Sequence, residues 1–203
     1  MSKEFSIYVH IFESLRTQEI QANCSEGQMI ANLLSMMKIP HMYHQIESAS
    51  KLRNVWRQTK ETASRTTFNI IHWSGHGFNG TCGIESLNDG GLALGDHYYM
   101  PWSLLGAFLA QIERGEGDCL CLCLSSCYGA YAYSLVSNYN YSFFDFLIAS
   151  DRAVDWEDAA VAYVNMYYAL RHNKPISDAV DYMNASISLS QGEQPIFRLY
   201  WGK

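Results

Sequence analysis

The chain has 203 residues, of which 48% are hydrophobic and 17% are charged, and its formal net charge is −6. This length favours one domain with a sizeable core, and the hydrophobic content excludes a mainly disordered chain. The acidic balance argues against direct binding of nucleic acid or of an anionic membrane, so we expect a protein or a small molecule as the partner.

Targeting signals and cysteine content indicate the compartment. Residues 1–15 lack the small-residue cleavage site of a secretory signal peptide, and no apolar stretch approaches the length of a membrane helix. Six cysteines without a secretory signal are expected to remain reduced thiols. We therefore predict a cytoplasmic protein that does not associate with membranes.

Hydrophobic periodicity predicts strands and helices that alternate along the chain. β-branched and aromatic runs indicate strands, and apolar residues spaced three and four apart indicate helices. In chain order, the predicted elements are a strand at 6–12, a helix from Ser25 to Pro40, a strand at 41–46, a helix at 50–63, a strand at 68–73, a Gly-, Asn- and Asp-rich excursion at 78–99 that suits a small hairpin or a loop, a helix at 101–114, a strand at 118–124, a helix at 128–137, a strand at 143–149, a helix from Asp155 to Pro175, a helix from about 177, and a strand at 196–201. This alternation predicts an α/β layer fold with a mainly parallel central sheet flanked by helices.

Two reactive side chains follow the ends of two predicted strands. His76 lies between two glycines after strand 68–73, and Cys127 follows strand 118–124. Functional groups gather at the carboxyl ends of parallel strands, and a right-handed crossover would make these two strands neighbours. We therefore expect the imidazole and the thiol to face the same crevice.

This pair suits nucleophilic catalysis by cysteine. His76 supplies a base, and the N–H groups that begin the predicted helix 128–137 are expected to lower the pKa of the Cys127 thiol. The flanking glycines let the backbone bend so that the amide of Gly77 points at a bound carbonyl oxygen, with the amide of Cys127 as a further donor. This chemistry requires neither a metal nor a cofactor.

The two motifs resemble those of the caspase-like cysteine peptidases, in which about 50 residues separate the histidine from the cysteine. Residues 70–77 (IIHWSGHG) and 122–127 (LCLSSC) are most similar to the CHAT-domain branch, as are the later segments 148–150, 167–170 and 176–180. The resemblance extends over nearly the whole chain. It implies one peptidase domain over 1–203 with the three-layer caspase-like fold, and a Cys127–His76 dyad that cleaves protein substrates. Stand-alone microbial relatives are associated with defence or cell death.

Departures from the family pattern concern specificity and control. Ser125 stands two residues before the nucleophile, where aspartate-reading caspases carry Gln and arginine-reading relatives carry Asp, so neither preference transfers. Ser125 and Asp151 are the predicted substrate-binding residues. Asp151 would favour a basic side chain before the scissile bond, and the alternative for it is a turn-forming role.

The sequence also indicates how such an enzyme would be controlled. No Asp, Glu, Lys or Arg occurs between Cys127 and Phe144, so we expect a single-chain enzyme without a cleaved linker between subunits. A free cytoplasmic protease would be hazardous, and we therefore expect control by an activating partner protein or by self-association. The competing function is a catalytically idle caspase-like fold that serves as a protein-interaction module.

Other conspicuous residues have structural explanations. The three cysteines of strand 118–124 alternate along the strand and are expected to pack in the core instead of holding a metal. His72 is expected to be a core residue, with orientation of His76 as the alternative. No lysine follows the glycine-bracketed turn, which argues against a phosphate site. The tyrosines of segment 128–141 suit either helix packing or a surface for substrate or partner.

Overall fold

The computed structural model of the protein describes residues 5–79, 90–138, 143–187 and 194–202. Within these ranges the chain forms strands β1–β9 and helices α1–α7. In chain order they are β1 (Phe5–Ser14), α1 (Thr17–Gln21), α2 (Glu26–Met36), β2 (His41–Gln45), α3 (Ala49–Ala63), β3 (Thr66–Gly75), β4 (Gly77–Phe78), β5 (Gly91–Leu94), β6 (Tyr98–Pro101), α4 (Trp102–Leu109), β7 (Cys119–Ser125), α5 (Ser134–Asn138), β8 (Phe146–Ser150), α6 (Trp156–Arg171), α7 (Ile176–Ala185) and β9 (Phe197–Trp201), with a short 3-10 helix at Gly129–Tyr133.

The central sheet has the strand order β2-β1-β3-β7-β8-β9. Its first five strands are parallel, and β9 runs antiparallel to β8. Helices α2, α6 and α7 cover one face, while α3, α4 and α5 cover the other. The predicted α/β layer fold with a mainly parallel sheet is confirmed.

Alternation along the central strands divides the core into two layers. On β7, Leu120, Leu122 and Leu124 face the layer of α3 and α4, whereas Cys121 and Cys123 face the layer of α2 and α6. Successive side chains of a strand point to opposite faces, so a strand covered on both sides is apolar throughout. Cys121 and Cys123 are fully buried, which confirms the core role expected for these two thiols.

The excursion after β3 forms a second, small sheet. Strands β4, β5 and β6 pair antiparallel in that order, and β6 leads directly into α4. The predicted hairpin is therefore confirmed for the described part of this segment, while residues 80–89 lie outside the described residues. The small sheet begins at Gly77, immediately after His76.

Two helical segments differ from the sequence prediction. Helix α1 was not predicted, because its five residues carry no apolar periodicity and contribute no buried side chain. The predicted helix 128–137 is divided: Tyr128 adopts a left-handed conformation with φ of 57°, a 3-10 helix follows, and α5 begins only at Ser134. Asp155 precedes α6 as predicted, but its side chain makes no capping hydrogen bond.

Among the described residues, every helix is too short or too polar to cross a membrane.

Candidate active site

Strands β3 and β7 bring His76 and Cys127 to the same edge of the sheet. The two strands are parallel neighbours, and Ser74 of β3 is the register partner of Ser125 of β7. His76 and Cys127 each follow that pair by two residues. A side chain at Gly77 would collide with the carbonyl oxygen of Cys127, so the two backbones are in direct contact there. The predicted adjacency of the strands is thus confirmed.

The imidazole of His76 is held by a carboxylate that the sequence analysis did not identify. Its Nε2 contacts Oε1 of Glu19 on α1, and the other carboxylate oxygen accepts the N–H of Arg16 at 2.6 Å. The ring also packs against Trp156, with 5.5 Å between ring centroids. Because Nε2 is engaged by Glu19, Nδ1 is the nitrogen left for a thiol or a substrate.

Local sequence patterns do not indicate the role of Glu19, for a physical reason. It lies 57 residues before His76, in a five-residue helix that buries nothing. The position of Glu19 along the chain is the available indication. Helix α1 directly follows β1, and the carboxyl end of β1 adjoins that of β3. A carboxylate on α1 is therefore within reach of the histidine that follows β3. Local periodicity does not report such a contact.

Cys127 sits in a partly buried turn against the loop that follows β8. Its Sγ lies 3.9 Å from the carbonyl oxygen of Val154, a distance that suits a weak S–H donor. The amide of Tyr128 donates to the carbonyl of Arg152 at 3.1 Å, and the amide of Gly129 donates to the carbonyl of Ser126 at 3.3 Å. The amides expected to face the thiol at a helix start are therefore occupied, which corrects that prediction.

Gly77 and Ser126 lie where the backbones that follow β3 and β7 meet. The Ser126 hydroxyl is buried and has no hydrogen-bond partner among the described residues. It lies 3.1 Å from the position that a Cβ of Gly77 would take. The requirement for glycine at 77 comes mainly from the Cys127 carbonyl oxygen, which lies still closer to the same position. Stabilisation of an oxyanion by the Gly77 amide stays a prediction.

A fully buried carboxyl group lies beneath the two strand ends. Glu26, the first residue of α2, accepts hydrogen bonds from Ser125 Oγ at 2.5 Å and from Ser74 Oγ at 2.7 Å. Burial raises its pKa to about 8; the two hydroxyls act in the opposite direction, and the nearby Glu13 carboxyl raises it further. The Ser125 side chain is thus engaged inside the protein by Glu26.

The other predicted site residues lie in different surroundings. Asp151 forms an ion pair with Arg198 of β9 at 3.2 Å, so its charge is already matched by a cation, and a contact with substrate stays a prediction. His72 is buried, and its Nδ1 lies 2.8 Å from the Tyr167 hydroxyl, with burial lowering its pKa to about 3. His72 is therefore a core residue, as predicted.

The tyrosines of segment 128–141 that the structure describes combine packing contacts with exposure. Tyr133 packs against Tyr200 of β9, and Tyr128 packs edge-on against Tyr131. Tyr131 and Tyr133 nevertheless remain substantially exposed. Tyr139 and Tyr141, which belong to the same predicted surface, lie outside the described residues.

The sequence matches no protein-family model and no curated protein. The solved structures that this chain resembles include the Drosophila initiator caspase Dronc (TM-score 0.63, 8% identity, 98% of this chain and 81% of that one), Caspase-1 from Spodoptera frugiperda (TM-score 0.61, 14% identity, 99% and 88%), and the Arg-specific cysteine proteinase gingipain R (TM-score 0.50, 11% identity, 91% and 44%). These similarities confirm the predicted caspase-like fold.

Proposed function

We propose that this protein is a cysteine endopeptidase in which Cys127 is the nucleophile and His76 is the general acid and base. The observation that carries the proposal is the place where the two strands end: an imidazole and a thiol follow neighbouring parallel strands, and a carboxylate is bound to Nε2 of the imidazole. A nucleophile, a base and a group that orients the base are the parts of covalent hydrolysis.

The chemistry follows from these positions. His76 takes the proton of the Cys127 thiol, and the sulfur attacks the peptide carbonyl to form a tetrahedral oxyanion, which the Gly77 amide stabilises. His76 then returns its proton to the leaving amine, and the C–N bond breaks to give a thioester. Water, deprotonated by His76, attacks the thioester and frees the carboxylic acid and the thiol. Glu19 holds the ring through Nε2, so that Nδ1 serves each of these transfers.

The finer assignment rests on the sequence motifs. We propose that the protein is closest to the CHAT-domain branch and that it works as a single-chain, cytoplasmic protease. An activating partner protein or self-association would control it, and a microbial defence or cell-death module is the proposed setting. The fold likeness to cysteine proteases supports the enzyme class, and the uncharged segment 128–143 supports the single chain.

Limited alkylation of the native protein tests the dyad without a substrate. Near pH 6.5 an ordinary thiol, with a pKa of about 8.5, is mostly protonated and slow to react. Cys24 is exposed and serves as the internal standard, whereas Cys127 is only partly exposed. We expect iodoacetamide to modify Cys127 faster than Cys24, and we expect His76→Ala to remove this difference while Cys24 reacts as before.

The exposed residue His172, at the C-terminal end of α6, provides the matched control. His172→Ala should leave the ratio of the two alkylation rates unchanged. If Cys127 reacts no faster than Cys24 in the unaltered protein, the dyad is not assembled and the interaction-module function gains. Peptide mapping by mass spectrometry supplies both rates.

A further inference from the structure

A pocket of about 210 Å³ opens between the N-terminal ends of α2 and α6. Met29 of α2 and the α6 residues Trp156 and Ala160 supply apolar walls, Glu26 lies among the lining residues, and Glu157 stands at the exposed rim. No lysine or arginine is among the described residues that line it. The pocket therefore combines apolar sides with acidic groups.

This pocket adjoins the proposed catalytic pair on two sides. The Trp156 ring that forms its wall packs against the His76 ring. The Glu26 carboxyl is bonded to Ser74 and Ser125, which stand two residues before His76 and Cys127. The pocket therefore shares Trp156 and Glu26 with the immediate surroundings of His76 and of the two strand ends.

Among the described residues, no cation contacts the buried Glu26 carboxyl. Its two hydrogen-bond partners are hydroxyls, which stabilise a carboxylate, and the neighbouring charged group is a second carboxyl, Glu13. A buried carboxylate without a cation is unfavourable, which is why burial raises the pKa of Glu26. A cationic group that enters the pocket would lower this pKa again and pair with the ionised carboxylate.

We propose that this pocket binds the substrate side chain that precedes the scissile bond and that Glu26 selects lysine or arginine there. The methylene stem of such a side chain packs against Met29 and Ala160, and Trp156 offers an aromatic face to its charged head. This inference rests on the proposed peptidase function and deepens it. It transfers the selective charge from Asp151, which Arg198 already neutralises, to Glu26.

Paired active-site probes test the selection. Two peptidyl acyloxymethyl ketones, identical except for arginine or the isosteric, uncharged citrulline at the last position, are incubated with the intact protein. The Cys127 sulfur bonds to the methylene carbon, the C–O bond breaks, the carboxylate leaves, and the thiol proton passes to His76. The rate of labelling is read from intact mass, and the labelled cysteine is identified by peptide mapping.

We expect arginine to label Cys127 about 10- to 100-fold faster than citrulline, the range for one charge-assisted hydrogen bond. In Glu26→Gln the ratio should fall close to one. Glu61→Gln, which removes an exposed charge on α3, should keep the ratio of the unaltered protein. A lysine and norleucine pair repeats the comparison in the unaltered protein, so the outcome does not depend on the folding of Glu26→Gln.

The results that overturn the inference are distinct from each other. Equal labelling by arginine and citrulline probes removes the basic selection and leaves the peptidase proposal standing. If folded Glu26→Gln keeps the ratio of arginine to citrulline labelling, a group other than Glu26 selects the basic side chain. If neither probe modifies Cys127, the proposed peptidase function fails, and the selection fails with it.

Discussion

At the residue scale, the contact between Glu19 and His76 decides how the imidazole is used. A carboxylate on one ring nitrogen fixes the tautomer and the orientation of the ring, and it stabilises the imidazolium that forms during proton transfer. Glu19 is itself held by the amide of Arg16, so its position does not depend on His76 alone. Glu19 is thus a positioning residue for the proposed base.

Glu19→Gln should slow the alkylation of Cys127 about 10-fold, because a charge-assisted hydrogen bond is replaced by a neutral one. The alkylation rate of the exposed Cys24 should not change. Nitrogen NMR of the His76 ring should show a changed protonation of Nδ1 and Nε2, which a purely structural role of Glu19 would not produce. An unchanged ring spectrum together with an unchanged Cys127 rate would contradict the assignment.

The close contact of Gly77 with the Cys127 carbonyl predicts the effect of a substitution at this glycine. Alanine at 77 places a methyl group against the carbonyl oxygen of Cys127, and neither backbone can yield without moving a strand end. We expect Gly77→Ala to lower the free energy of unfolding by about 1 to 3 kcal/mol, as overpacking does, and to abolish labelling of Cys127. Urea denaturation measures the first effect. Gly117→Ala is the control for labelling: its methyl group meets no atom within 4 Å, so Cys127 should be labelled as before, although the φ of +80° at that residue makes alanine there lower the stability as well.

At the scale of elements, the small antiparallel sheet and α1 form the frame around His76. The amide of Ala93 on β5 donates to the His76 carbonyl at 2.9 Å. In the turn between β5 and β6, the Asp96 carboxylate accepts hydrogen bonds from the hydroxyl of Thr17, at 2.5 Å, and from its amide. The excursion after β3 therefore anchors the helix that carries Glu19.

Thr17→Val should loosen this anchor and reproduce part of the Glu19→Gln effect. We expect a reduction in Cys127 alkylation of about 3-fold, because a single exposed hydrogen bond contributes about 0.5 to 1.5 kcal/mol. Thr67→Val, at the exposed amino end of β3, is the matched control and should leave the rate unchanged. Equal rates in the two variants would mean that Asp96 does not position α1.

At the scale of the whole molecule, three buried ionisable groups make stability depend on pH in opposite directions. His10 and His72 are buried on β1 and β3, and burial lowers the pKa of each from its usual 6.5 to about 3. Both rings must remain neutral in the folded state, so their contribution is lost as pH falls below 6.5. Glu26 has a raised pKa, so its contribution is present below its unfolded pKa of about 4.5 and is lost as pH rises towards 8.

These opposing slopes predict a maximum in the free energy of unfolding near pH 6.5. Between about 4.5 and 6.5 His10 and His72, together with the partly buried His44, whose pKa burial also lowers, outweigh Glu26 and stability rises with pH. Between 6.5 and 8 Glu26 is the one of these four groups that still titrates, and stability falls. Each group contributes at most about 1.4 kcal/mol per pH unit. Urea unfolding from pH 5 to 8 measures the curve. Glu26→Gln should flatten the alkaline side, and a decline that persists there would contradict the explanation.

The local sequence determined most of the fold and indicated the two proposed catalytic residues, His76 and Cys127. The apolar strand 118–124 and the glycine-bracketed His76 have local signatures, since burial on both faces and tight turns each restrict nearby residue types. Chain order and the handedness of crossovers then made β3 and β7 neighbours. The fold and the proximity of His76 to Cys127 therefore followed from short-range patterns and a general topological rule.

Only the tertiary structure decided which polar groups meet. Glu19 reaches His76 across 57 residues, and Glu26 reaches Ser125 across 99, while Asp151 is turned towards Arg198. The sequence patterns of a strand or a helix record which face is buried, and they do not record which polar atom lies opposite in another element. Hydrogen bonds between distant side chains depend on distances of a few tenths of an ångström, which are fixed only when the helices dock on the sheet.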